Sequence, residues 1–189
     1  MTKENKAKLF VFSAPSGTGK TTIVRSILSV LPDLVFSVSA TTRKKRRTEV
    51  DGKDYFFISE EEFERKIKNN EFVEWEKFYD YYYGTLVSFI EEKLSANKSV
   101  VLEVDVKGAI SIKRSYPNSV LIFIMPPSIE ELKARLLNRK TESEEDFKKR
   151  IHRAEMELTF KDKFDYVVIN DNLERAKNEV LEIIKKEIK

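Results

Sequence analysis

The stretch KLFVFSAPSGTGKT, residues 8 to 21, decides the fold. Its first half, residues 8–14, is an apolar run that predicts a buried strand. Its second half fits the pattern GxxxxGK[ST], with Ala14 at the first glycine position and Gly19, Lys20 and Thr21 closing it. A helix is predicted over 19–31, with Ile23, Val24, Ile27 and Leu28 on one face and Pro32 as the stop. A strand running through a glycine loop into a helix aims backbone N–H groups and the helix N-terminus at phosphate oxygens. Lys20 adds a full charge for the β- and γ-phosphates, and the Thr21 hydroxyl is a ligand for Mg2+. The competing reading is a plain glycine turn. Motif and flanking context argue against it independently and point to a nucleoside triphosphate, ATP, bound with Mg2+. The binding set is Ala14, Pro15, Ser16, Gly17, Thr18, Gly19, Lys20, Thr21 and Thr22.

Outward from this loop, apolar runs alternate with amphipathic segments. Strands are predicted at 35–39, 53–58, 71–78, 99–104, 119–125 and 166–169. Helices are predicted at 59–69, 86–96, 107–116, from 128 to about 139, from 143 to about 161, and at 173–188. Ser59/Glu62 and Ser128/Glu131 have capping-box spacing. This order gives an α/β fold of the P-loop type, a parallel sheet with helices on both faces. Residues 37–96 interrupt it with closely spaced, aromatic-rich strands. One domain of 1–189 is therefore expected, with a core of 1–36 and 97–189, a mostly β insert of about 37–96 and a short lid of about 137–148.

Composition narrows the chemistry. The 189 residues are too few for two ordinary domains. Cysteine is absent, which excludes disulfides, thiolate metal sites and cysteine nucleophiles. A single histidine, His152, argues against His-based triads and metal clusters. Lys and Arg number 35 against 32 Asp and Glu, a balance unlike that of a dedicated nucleic-acid binder. No apolar run approaches a membrane span, and a soluble cytoplasmic protein is expected. An Asn-Lys-x-Asp base-reading motif is missing, so a GTPase is disfavoured.

The remaining motifs resemble guanylate kinase. They are Ser37-Val-Ser39-Ala-Thr-Thr-Arg43, Arg46 with Glu49, Asp51-Gly-Lys-Asp-Tyr55-Phe-Phe, Asn70-Glu-Phe-Val-Glu74-Trp75 and Tyr82-Tyr83-Gly84-Thr85. Asp105-Val-Lys-Gly108, Met125-Pro-Pro-Ser128, Ser143-Glu-Glu and Asn170-Asp171 follow in the family's order. The resemblance spans about 8 to 185 and implies ATP-dependent phosphorylation of GMP, with dGMP a further candidate acceptor. Its departures are Lys45 for proline, Thr48 for glycine, Glu103 for aspartate, and Asn138 and Lys140 for the glycines that flank the lid arginine.

The acceptor phosphate calls for guanidinium forks and hydroxyl donors. The resemblance assigns Arg43, Arg46, Tyr55 and Tyr83 to it. Without the resemblance, the basic run at 43–47 reads equally as a solvated charge run. Guanine offers N1–H and the 2-amino group side by side, and one carboxylate accepts both; adenine has no such edge. Glu74 is the candidate. By resemblance Asp105 is the second carboxylate, and Ser39, Gly84 and Thr85 line the same site. Asp105 ends an apolar strand, where a metal-shell acid would also sit, and both roles stay open. Glu103 and Asp105 are candidates for reaching Mg2+ through water. Arg139 and Arg150 match arginines that reach the phosphates, Arg135 matches less strongly, and Asn170 matches a position near adenine. Lys20, Arg43, Arg139 and Arg150 form the expected catalytic set. His152 is expected on the surface, and Trp75 in the core.

Overall fold

The structure is a computed structural model and describes residues 7–78, 80–137 and 144–189. Five parallel strands form the main sheet: β1 (Leu9–Ser13), β2 (Val35–Phe36), β7 (Val100–Glu103), β8 (Val120–Met125) and β9 (Tyr166–Ile169), in the order β2-β7-β1-β8-β9. Every residue of β1 is buried, as a central strand covered on both faces requires. Strand alternation sends Phe10 and Phe12 to one face. There they pack with Ile23 and Ile27 of α1 (Lys20–Val30) and with Ala176, Val180 and Ile184 of α7 (Leu173–Ile188). Leu9 and Val11 face the other way, onto Ile90 of α3 (Val87–Ser95) and Ala109 and Ile112 of α4 (Val106–Ser115). A smaller cluster joins α5 (Ile129–Leu137) to α6 (Glu144–Leu158) through Leu132, Leu136, Ile151 and Ala154.

The insert builds a separate mixed sheet, ordered β4-β3-β6-β5. Its strands are β3 (Ala40–Thr41), β4 (Phe56–Phe57), β5 (Phe72–Phe78) and β6 (Tyr81–Leu86). Helix α2 (Glu60–Lys68) packs on it through Phe63, and Ser59 Oγ caps the helix by accepting from the Glu62 N–H. Phe63 of α2 is fully buried and stacks on Phe72 and Tyr82, giving the insert its own aromatic core.

Four points of the sequence reading need correction. The strand predicted at 35–39 is divided: Val35–Phe36 joins the main sheet, and the chain then crosses to the insert, where Ala40–Thr41 pairs with β6. The strand predicted at 53–58 shrinks to Phe56–Phe57 behind a turn at Gly52, whose φ is +74°. Strand β6 was not predicted at all, although it pairs along most of β5. Trp75 is 46% exposed rather than core: it shares the face of Phe63 and Tyr82 but sits at the rim of that cluster, its ring centroid 5.9 Å from that of Tyr82. His152 is exposed as expected.

Candidate active site

The phosphate loop sits between β1 and α1 at the carboxyl edge of the main sheet. Gly17 and Gly19 have φ of +93° and +91°, the left-handed region where only glycine is unstrained. Gly19 caps α1, with no side-chain hydrogen bond to the helix N-terminus and no acidic residue in the first turn. The end of the helix dipole is thus left for an anion. The loop is braced from below by Asn170, which is buried and donates from Nδ2 to the Thr18 carbonyl at 2.6 Å. Arg135 Nη2 donates to the Asn170 carbonyl at 3.0 Å. Arg135, Asn170, Asp171 and Leu173 border a shallow cleft on this side of the loop.

The larger cleft, about 520 Å3, runs from the loop over Glu103, Val104 and Asp105 to Arg150, Arg153 and Glu157 of α6. Lys20 Nζ donates to the Val104 carbonyl at 3.3 Å and lies 4.0 Å from Glu103. Burial lowers the Lys20 pKa, opposed by the charges of Glu103, Glu157 and Asp105. Thr21 Oγ1 donates to Glu103 Oε2 at 2.8 Å, so the longer acid at position 103 does reach the Thr21 hydroxyl. Hydroxyl and carboxylate oxygens are the donor types of a hard cation such as Mg2+. Among the described residues no group of three His, Cys, Asp or Glu is placed to hold a metal by itself. Arg150 Nη1 donates to Ser16 Oγ at 3.4 Å, which puts it at the phosphate end. Arg139 lies outside the described residues, as does the predicted lid from 138 to 143.

Two carboxylates converge where Asp105 lines this cleft. Asp105 caps α4, its Oδ1 accepting from the Gly108 N–H at 2.7 Å. Glu74, on β5, accepts from Thr85 Oγ1 at 2.6 Å, a bond across the β5–β6 ladder. Both acids meet over Gly108: a Cβ there would stand 3.0 Å from Glu74 Oε2 and 3.1 Å from Asp105 Oδ1. Burial raises the Glu74 pKa to about 7, and the negative charges of Asp105 and Glu76 add to the rise, while Thr85 opposes it.

The residues expected to read the acceptor phosphate gather on the insert. The Arg43 guanidinium makes a forked pair with Glu49, at 3.0 and 2.7 Å, and lies 5.4 Å from the centre of the Tyr55 ring. Tyr55 and Tyr83 meet edge to face at 6.0 Å. Its hydrogen bond to Glu49 is the main cause that raises the Arg43 pKa, and Tyr83 contributes a second bond. Arg46 donates its backbone N–H to Glu49 at 2.7 Å, and its side chain is exposed. Gly84 is required by packing: a Cβ there would stand 2.9 Å from the Phe72 ring and 3.0 Å from that of Phe63. Ser39 is partly buried, and its carbonyl accepts from the Phe56 N–H.

Sequence reasoning missed the ion network of Arg153, Glu76 and Glu157. The signal was present in part: 150, 153 and 157 fall on one helical face at spacings of three and four. Nothing local links them to Glu76.

A P-loop, a cleft of about 520 Å3 beside it and an inserted mixed sheet are the parts of a phosphotransferase of the nucleotide-kinase class. Comparison with known proteins narrows this. A family model described as guanylate kinase matches residues 6–187. The chain is 50% identical to the guanylate kinase of Thermotoga maritima over 182 residues, covering 96% of this chain and 88% of that one. It is 48% identical to the guanylate kinase of Caldanaerobacter subterraneus over 184 residues, covering 97% and 89%. The crystal structure of guanylate kinase from Anaplasma phagocytophilum superposes with a TM-score of 0.78 at 30% identity, covering 97% and 87%. The chain belongs to the guanylate kinase family, enzymes that phosphorylate GMP with ATP.

Proposed function

We propose that ATP binds along the phosphate loop, that GMP binds between Arg43 and the Glu74/Asp105 pair, and that the γ-phosphoryl group passes in line between them. The observation that carries this reading is the meeting of Glu74 and Asp105 over Gly108, with Asp105 also lining the cleft that holds Lys20. Glu74, once ionised, accepts both N–H groups of the guanine edge. Thr85 fixes its rotamer, and Asp105 and Ser39 complete the base site. Arg43, Arg46, Tyr55 and Tyr83 hold the acceptor phosphate, and Glu49 keeps the Arg43 fork oriented.

A GMP phosphate oxygen attacks the γ-phosphorus, the bond from that phosphorus to the β,γ-bridging oxygen breaks, and ADP leaves. The acceptor is already an anion, so no general base is required. Lys20, Arg150 and Arg139 neutralise charge on the moving group, and the N-terminus of α1 binds the donor phosphates. Thr21, with Glu103 and Asp105 through water, would hold Mg2+, which when bound neutralises and orients the β- and γ-phosphates. Arg135, with Asn170, supports the loop from the nucleoside side. The working unit is the single domain, its compartment the cytoplasm where both nucleotides are found, and dGMP is a candidate second acceptor. ADP formation from MgATP, measured with GMP, AMP, CMP, UMP and dTMP in turn, tests the proposal. Turnover with GMP alone, lost in Lys20→Ala, is expected; equal turnover with another acceptor would overturn the base assignment.

A further inference from the structure

Helix α6 carries two arginines one turn apart that serve opposite ends of the cleft. Arg150 reaches the phosphate loop at Ser16. Arg153 reaches the insert: its Nη2 donates to Glu76 Oε1 at 3.2 Å and lies 3.5 Å from Asp105 Oδ2. Its Nε donates to Glu157 Oε1 at 2.9 Å, one turn further along the same helix. The Glu157 side chain is only 7% exposed, so the guanidinium is anchored from behind by a buried carboxylate. Glu74 and Glu76 are alternate residues of β5 and share a face of the strand. Arg153 is therefore tied to the strand that carries the base-reading acid, and directly to the second acid.

Glu74, Glu76 and Asp105 crowd together, and the charges of the last two hinder ionisation of Glu74. A cation among them offsets that repulsion. A planar fork reaches several carboxylates at once, which a lysine ammonium does not. We infer that Arg153, acting with Glu76, is a positioning residue for the acceptor nucleotide, docking β5 against α6 and holding Asp105 beside Glu74. The inference rests on the guanine reading above.

The test is steady-state kinetics of Glu76→Gln, Arg153→Lys and Arg153→Met, with each substrate varied at saturation of the other. Glu74→Gln serves as the reference and thermal unfolding as the check on folding. Glu76→Gln leaves the Arg153–Glu157 pair intact, so it stays informative if Arg153→Met fails to fold. The GMP KM is expected to rise about fivefold in Glu76→Gln and roughly tenfold or more in Arg153→Met, as for loss of partly buried ion pairs. The kcat and the ATP KM should stay within about twofold, since the pair does not touch the moving group. Arg153→Lys should recover part of the loss. Glu76→Gln combined with Arg153→Met should be no worse than Arg153→Met alone, since one contact is being removed twice. An unchanged GMP KM in Glu76→Gln and Arg153→Met, with Glu74→Gln impaired, overturns the inference and spares the guanine reading. No effect in Glu74→Gln overturns the guanine reading first. Equal losses for both substrates, tracking a lowered Tm, would reduce Arg153 to a structural strut and also overturn the inference.

Discussion

Glu74→Gln is expected to move stability and activity in opposite directions. The Glu74 carboxyl titrates near 7 in the folded protein against 4.5 for an ordinary glutamate, chiefly because of burial. Between those values the folded state holds a proton that the unfolded chain has lost. Stability therefore falls as pH rises through this window and remains lower above it. At about 1.36 kcal/mol per pH unit, the wild-type loss at pH 8 is about 3 kcal/mol. Glutamine avoids it, while its own carbonyl still accepts from Thr85 Oγ1. Allowing for the cost of a partly buried amide, a gain of about 1–3 kcal/mol is expected at pH 8 and almost none at pH 4.5. For a chain of this length each kcal/mol raises Tm by about 2–4 °C. Activity should fall, because the amide NH2 faces the donor edge of guanine. Loss of a charged acceptor together with an unpaired donor costs about 3–4 kcal/mol, or a 10²- to 10³-fold rise in GMP KM. Thermal unfolding from pH 4.5 to 8, paired with GMP kinetics, measures both. The wild type should itself bind GMP about tenfold more weakly at pH 6 than at pH 8, as the acid protonates. The GMP phosphate also titrates near 6, so the diagnostic part is the pH dependence that Glu74→Gln removes. A variant that is less stable at pH 8 and still binds GMP normally would refute the reasoning.

Gly108→Ala places a methyl group against the ends of both carboxylates, flexible groups that can turn aside. Unfolding free energy should change by less than about 1 kcal/mol, while GMP KM rises roughly tenfold and ATP KM holds; denaturant melts and kinetics separate the two. Asn170→Ala removes the buried bond to the Thr18 carbonyl and should cost about 1–3 kcal/mol, with a rise in ATP KM and not in GMP KM. Thr21→Val deletes the hydroxyl that meets Glu103. It should lower kcat with MgATP by about 10²-fold while leaving GMP binding, read by calorimetry, within about twofold.

What was legible in the sequence was local. The phosphate loop is a contiguous spacing whose chemistry follows from glycine, helix end and lysine, and β9 and α7 fall within their predicted bounds because apolar period and caps agree. The insert was harder, because its strands are short and nearly every position is aromatic or charged. Tyr81–Leu86 shows no clean alternation and becomes a strand only by pairing with β5 and β3. Trp75 was misplaced for the same reason: Phe63, Phe72 and Tyr82 fill the small core of the insert, leaving the indole at its rim. Ion contacts between distant segments left no local mark, so the bridge from Arg153 to Glu76 emerged only from the fold. Asp105 showed the reverse ambiguity. It is a helix cap by local chemistry and a cleft carboxylate by position, and the two uses engage different oxygens.

The most direct test of the central claim, that Glu74 and Asp105 read the guanine edge, compares GMP with IMP, which keeps N1–H and lacks the 2-amino group. The ratio of kcat/KM for GMP over IMP should exceed about 10² in the wild type, because a site built to accept that hydrogen would be left unpaired, and it should collapse in Glu74→Gln. Equal use of GMP and IMP by the wild type would contradict the account and place base recognition elsewhere in the cleft.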